Sequence, residues 1–136
     1  MGSPGRRLDE PPKGDKRAPG QLLVGRSGED LAARWYEDEG FEVLARNWRC
    51  RQGELDLVAR RGRLVVFCEV KARTTDAFGV PAEAVGPVKQ AKVRRLAALW
   101  FAAEARSSEG SGRSGPVRFD VASVLAGQVQ VIEGAF

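Results

Sequence analysis

The chain has 136 residues, enough for one domain with a single layered core, and no apolar run near the roughly 20 residues a membrane span requires. Its 22 Lys and Arg against 18 Asp and Glu leave a net charge of +4, a modest excess that points to a partner only through where the basic residues sit. Histidine is absent, which removes Ser-His-Asp and Cys-His catalysis, histidine-ligated zinc and imidazole acid–base chemistry, so any hydrolysis must use carboxylates, lysine and metal-activated water.

Residues 1–20 are rich in Pro, Gly and alternating charge and cannot bury an apolar face; they are expected to form a disordered leader to a single domain over 21–136. No signal-peptide apolar core is present, so a cytoplasmic location is expected. The run Gly25-Arg26-Ser27-Gly28-Glu29-Asp30 predicts the start of a first helix, with Ser27 as N-cap and Asp30 three residues on. Leu31 and Trp35 mark its apolar stripe, widened by Ala32, Ala33 and Tyr36, and Gly40 suits a left-handed C-terminal cap. Glu29 falls in the first turn, where an acid also simply complements the helix dipole.

Phe41 to Cys50 reads as a strand. Its cluster Arg46, Asn47, Trp48 and Arg49, with Arg51 beyond, suits phosphate contacts and base stacking, and equally an edge strand with outward charges. Cys50 and Cys68 both fall in strand-like runs and read as reduced, buried small hydrophobes.

The centre of the chain is Gly53 to Arg73, G-E-L-D-L-V-A-R-R-G-R-L-V-V-F-C-E-V-K-A-R. Two strand-like runs, Glu54–Arg60 and Leu64–Lys71, flank a break at Arg61-Gly62-Arg63. A two-residue turn at Gly62-Arg63 makes opposed residue numbers sum to 125, so that Asp56 faces Glu69 and Glu54 faces Lys71. A turn at Arg61-Gly62 makes the sum 123, so that Glu54 faces Glu69. Either register puts Glu54, Asp56, Glu69 and Lys71 on one face, together with Val58, Val65 and Phe67. The opposite face carries Leu55, Leu57, Ala59, Leu64, Val66, Cys68 and Val70 and is apolar throughout. Three carboxylates and a lysine meet at one end of a mostly covered hairpin; the opposed carboxylates repel, one of them keeping its proton in a dry site unless something cationic settles the group, and a hydrated divalent metal is the usual candidate. The same residues also suit a salt-bridged strand end in which Lys71 neutralises Glu54 or Glu69.

Residues 74–86 form a loop with turn residues just beyond this group. Pro87 then opens a second helix running to about Arg106, with Val93, Leu96, Trp100 and Ala103 as its buried stripe. Lys89, Gln90, Lys92, Arg94 and Arg95 crowd its N-terminal half. Cations there oppose the dipole, a cost that a bound polyanion would reverse. Ser107 to Pro116 reads as a flexible loop, and strands follow at Val117–Leu125 and Gln128–Glu133, joined by Ala126-Gly127. The order helix, three strands, helix, two strands predicts an α/β fold, a mixed sheet with a helix against each face.

The motifs G-R-S-G-E-D-L-A, N-W-R-C-R-Q-G-E-L-D-L-V, V-F-C-E-V-K-A-R and F-G-V-P-A-E-A-V, in this order, resemble the bacterial YraN-like family. Its members are predicted to belong to the PD-(D/E)XK nuclease superfamily and are similar to archaeal Holliday-junction resolvases. The resemblance runs from about Gly25 to the C-terminus. It implies a restriction-endonuclease-like fold in which Asp56, Glu69 and the Val70 carbonyl hold Mg²⁺ or Mn²⁺, and Lys71 orients or activates water. It implies that Glu29 is the first-helix glutamate resolvase-type members add, with Glu54 a possible outer contributor. The expected activity is metal-dependent endonucleolytic cleavage of structured or branched DNA. Arg46, Arg49, Arg51, Arg73, Lys89 and Lys92 would hold the nucleic acid, and a homodimer suits symmetric cutting. A silent nucleic-acid-binding or repair-accessory module of the same fold is the alternative. Two positions depart from the pattern: Leu55 stands where the superfamily name has proline, and Cys68 where valine is more usual.

Overall fold

The structure, a computed structural model, describes residues 19–73, 85–107 and 115–136. The leader over 1–18, the loop over 74–84 and most of the Ser107–Pro116 loop lie outside the described residues. The elements are α1 (Pro19–Asp38), β1 (Glu42–Cys50), β2 (Gly53–Arg61), β3 (Leu64–Arg73), α2 (Pro87–Ser107), β4 (Val117–Leu125) and β5 (Gln128–Ile132). They build one five-stranded sheet in the order β1-β2-β3-β4-β5. Every neighbouring pair is antiparallel except β3–β4, which is parallel and needs the crossover that α2 supplies.

The two helices cover opposite faces. On one, Ala32, Ala33 and Tyr36 of α1 pack on Leu57, Ala59, Val66, Cys68 and Ala122. On the other, Val93, Leu96, Ala97 and Trp100 of α2 pack on Val58, Val65, Phe67 and Phe119. Phe67 is the hub of the second face, with the rings of Trp100, Phe101 and Phe119 all within 5.7 Å of it, centroid to centroid. Fully burying such a side chain contributes roughly 1.5–3 kcal/mol, which is what fixes α2 against β3. Among the described residues no helix is long and apolar enough to cross a membrane.

The first helix starts well before the predicted Ser27 cap. Pro19 takes the first-turn position that suits proline, and Ser27 lies in the helix interior with Asp30 beyond it. A serine followed by an acid three residues on is compatible with a helix interior when an upstream proline and a Gln-Leu-Leu run already start the helix. The far end is as predicted. Gly40 (φ 90°) closes α1, its N–H donating to the Glu37 carbonyl at 3.0 Å while the Phe41 N–H donates to the Tyr36 carbonyl at 2.9 Å. The Phe41 ring stands edge-on to Tyr36, 5.2 Å away, the apolar contact that accompanies this cap.

The β2–β3 hairpin has the first of the two predicted registers. Leu57 opposes Cys68, Val58 opposes Phe67 and Arg61 opposes Leu64, around a turn whose first residue is Gly62 at φ 63°. Strict alternation fails, however, near the open end. Leu55, expected beside Leu57, instead packs with Val58 and Leu96 on the α2 face. The neighbouring strand changes face at the same rung: Arg46, opposite Leu57, reaches Asp30 of α1, whereas Trp48, opposite Leu55, packs toward α2. Between them Asn47 has φ 54°, a left-handed residue in mid-strand. That residue turns β1 over, and β2 turns with it.

Candidate active site

The face change is what positions Asp56. It sits in β2 between Leu55 and Leu57, where the strand goes from one face to the other, just beyond the Leu57–Cys68 rung that ends the β2–β3 ladder. The Asp56 carboxylate then does what a ladder carbonyl would have done: the Val70 N–H donates to its Oδ2 at 2.8 Å. The side chain of one strand is thereby tied to the Glu69-Val70-Lys71 backbone of the next.

Burial pushes the Asp56 carboxyl up to about 6, opposed by the Val70 N–H and reinforced by the negative charges of Glu69, Glu29 and Glu54. Those three acids therefore lie close enough for Asp56 to feel them. Among the described residues no group of three or more His, Cys, Asp or Glu side chains is gathered as a ready metal cluster. The oxygens on offer are two carboxylates, Asp56 and Glu69, and the main chain of β3. Hard-cation sites that keep several waters need no more than one or two carboxylates, so the donor set suits Mg²⁺ or Mn²⁺.

Glu69 is the buried acid of the group, its side chain 10% exposed. Its partner is Lys89 from the first turn of α2, Nζ to Oε2 3.0 Å. The Lys89 ammonium is pushed up by that hydrogen bond first, and further by the charges of Glu69, Asp56 and Glu54. Sequence reasoning had Lys71 as the neutralising lysine and Lys89 on phosphate; in the structure Lys89 pairs with Glu69 and Arg49 pairs with Glu54 at 3.0 Å. The β3–α2 contact is long-range, so no spacing announces it. Lys71 is half-buried two residues along β3 from Glu69, on the same face.

Glu29 sits on α1 and accepts a hydrogen bond from Asn47 Nδ2 at 3.0 Å. The left-handed residue that flips β1 thus also holds the α1 acid nearest Asp56. Asn47 entered the sequence reading only as part of a basic cluster. Its signal was there, because Asn is the non-glycine residue most at ease at positive φ.

The predicted basic residues separate into two groups. Arg46 is half-buried and committed to Asp30, Nη2 to Oδ1 2.6 Å, so it braces α1 and is not a free phosphate contact. Arg49, Arg51 and Lys92 are exposed, the two arginines at the β1–β2 turn that ends at Gly53. The stem of Lys92 lies over Gly53, so near that a Cβ there would stand 3.0 Å from Lys92 Cε, and Gly53 has φ 147°. The β1–β2 turn and the N-terminal half of α2 therefore form one basic rim beside the Asp56–Glu69 pair. Arg73 ends β3; its side chain lies outside the described residues.

Comparison with known proteins agrees with the motif reading. The profile of "Uncharacterised protein family UPF0102" matches residues 28–124, which include every site residue named above. A UPF0102 protein of Nocardia farcinica is 51% identical over 112 residues, 82% of this chain and 80% of the relative. One from Beutenbergia cavernae is 53% identical over 102 residues, 75% of this chain and 81% of the relative. A Streptomyces griseus counterpart is 50% identical over 102 residues, 75% and 82% of the two chains. The chain belongs to the uncharacterised protein family UPF0102, the YraN-like proteins.

Proposed function

We propose that this protein is a metal-dependent endonuclease acting on structured or branched DNA. The observation that carries the reading is the tie between Asp56 and the Val70 N–H, which joins a half-buried acid of raised pKa to a strand bearing a buried glutamate and, two residues on, a lysine. Asp56 and Glu69, with the Val70 carbonyl, would hold the ion. When bound, a divalent ion acidifies water and neutralises charge on a scissile phosphate. Lys71, on the same face as Glu69, steers the attacking water or offsets charge developing on the phosphate. Glu29, fixed by Asn47, adds negative charge beside Asp56. Arg49, Arg51 and Lys92 grip flanking phosphates from the rim, so binding weakens as salt rises.

A second reading has an observation of its own. The Glu69–Lys89 ion pair satisfies the buried acid without any metal, as it would in a silent nucleic-acid-binding module of the same fold. One panel separates the two. Branched, nicked, single-stranded and linear DNAs are incubated with Mg²⁺ or Mn²⁺ and either the wild type or Asp56→Ala. Metal-dependent cutting by the wild type and none by Asp56→Ala supports the nuclease. Salt-sensitive binding of these DNAs with no cutting of any of them supports the module, and equal cutting by both proteins overturns the assignment of Asp56.

A further inference from the structure

We propose that Lys89 is a built-in counter-ion: in the free protein its ammonium holds the place on Glu69 that a divalent cation takes, and metal binding releases it to a phosphate of the nucleic acid. The inference rests on the nuclease reading and adds an exchange of partners to it.

Three observations carry it. Glu69 is the most enclosed carboxylate of the site, and a buried carboxylate left unpaired is costly, so a cation facing it stabilises the site. Lys89 is that cation here, and it reaches Glu69 from outside: its side chain is 44% exposed, so the ammonium can swing back into water without unpacking the core. Lys89 also sits where a cation is otherwise unwelcome. The Gly86 carbonyl accepts the first helical hydrogen bond from Gln90, so Lys89 is the third residue of α2, at the positive end of its dipole.

An ion shared by Asp56 and Glu69 and an ammonium 3.0 Å from Glu69 Oε2 would be two positive charges on one carboxylate. Their repulsion at such distances makes the two occupancies exclusive in large part. The displaced side chain lies one helical turn from Lys92, whose stem covers Gly53 at the β1–β2 turn. A backbone phosphate on that rim gives it a new partner and also relieves the helix end. No covalent step is involved.

The test uses the full chain and Mn²⁺ alone, titrated by calorimetry into wild type, Lys89→Met, Lys89→Arg and Lys92→Met. Methionine keeps the apolar stem and removes the charge. Lys89→Met is expected to bind Mn²⁺ roughly fivefold more tightly, Lys89→Arg about as the wild type does, and Lys92→Met within about twofold of it. Equal or weaker binding by Lys89→Met, while the wild type binds, overturns the counter-ion and leaves the nuclease standing. Equal tightening in Lys92→Met also overturns it, by making the effect one of general charge. Absence of binding in wild type and Lys89→Met alike removes the metal centre itself, and the inference with it.

The second half is read from the salt dependence of binding to a branched phosphorothioate DNA. Adding Mn²⁺ is expected to steepen the wild-type slope by about one phosphate contact and to leave that of Lys89→Met unchanged. A wild-type slope that Mn²⁺ does not alter overturns the transfer to phosphate.

Discussion

At the scale of single residues, Asp56, the acid proposed to hold the metal, carries a stability cost. Its folded-state pKa, raised to about 6, lies above the ordinary carboxylate value, so the native protein holds this proton more tightly than the unfolded chain does. Stability from this group is therefore greatest at acid pH and is lost as pH rises through the window from about 4 to about 6. Asp56→Asn keeps an acceptor for the Val70 N–H and loses the charge. In chelator it should be more stable than the wild type at pH 7 by on the order of 1–2 kcal/mol, with the difference vanishing near pH 4. Urea denaturation at the two pH values checks this; equal stability at pH 7 would mean that the carboxyl is better solvated than its packing implies. Asp120 is the contrasting acid. Fully buried, it accepts from the Tyr36 hydroxyl, from Arg118 Nε and Nη2, and from the Gly134 N–H. Burial and the nearby Cys68 and Asp120 push the Tyr36 hydroxyl upward, so it stays a donor. One acid has all its lone pairs filled from within, and the other is left with a single backbone donor and three acids around it.

Among the elements, legibility followed local chemistry. Gly62 narrowed the hairpin to two registers, of which the structure has the first, while Pro87 marked the start of α2 and Ala126-Gly127 the β4–β5 turn, each a signal confined to a few residues. The start of α1 was misread because a serine with an acid three residues on looks the same inside a helix as at its cap. Leu55 was assigned to the wrong face because period-two counting has no way to register a left-handed residue on the neighbouring strand. Across the β4–β5 turn, Ala126 (φ 53°) and Gly127 (φ 79°) are both in the left-handed region, as a type I′ turn demands. Alanine fits the first of those positions poorly. Ala126→Asn should raise stability by about 0.5–1 kcal/mol, seen as a higher melting temperature, and no change would mean the turn relaxes once it is free of the alanine.

Taken as a whole molecule, the protein is a sheet clamped from both sides, with Asp120 as the knot. Through it α1 (Tyr36), β4 (Arg118) and the C-terminal turn (Gly134) meet in one buried cluster. The chain end is fastened nearby, Phe136 stacking on Phe119 at 5.3 Å with the Arg94 guanidinium over both rings. Asp120→Ala strips Tyr36, Arg118 and Gly134 of their shared acceptor, leaves Arg118 only the looser Glu133 pair at 3.7 Å, and should cost about 3–5 kcal/mol, a large share of what holds a domain of this size together. Urea denaturation read by far-UV circular dichroism checks it, and a loss below about 1 kcal/mol would refute the knot. The overall plan was open to sequence reasoning because element order and a parallel crossover leave few arrangements. Which lysine meets which acid was not, since that depends on where a helix lands after crossing.

That landing has a developmental side, in the sense of how the nascent chain is built up. Among the described strands only β3 and β4 run in parallel, so α2 must span the sheet before the second of them can join. Lys89 rides in at the head of that crossover. The acids of the hairpin thus receive their cation only where the crossover docks on the sheet, so whatever loosens the seat of α2 also strips Glu69 of its ammonium.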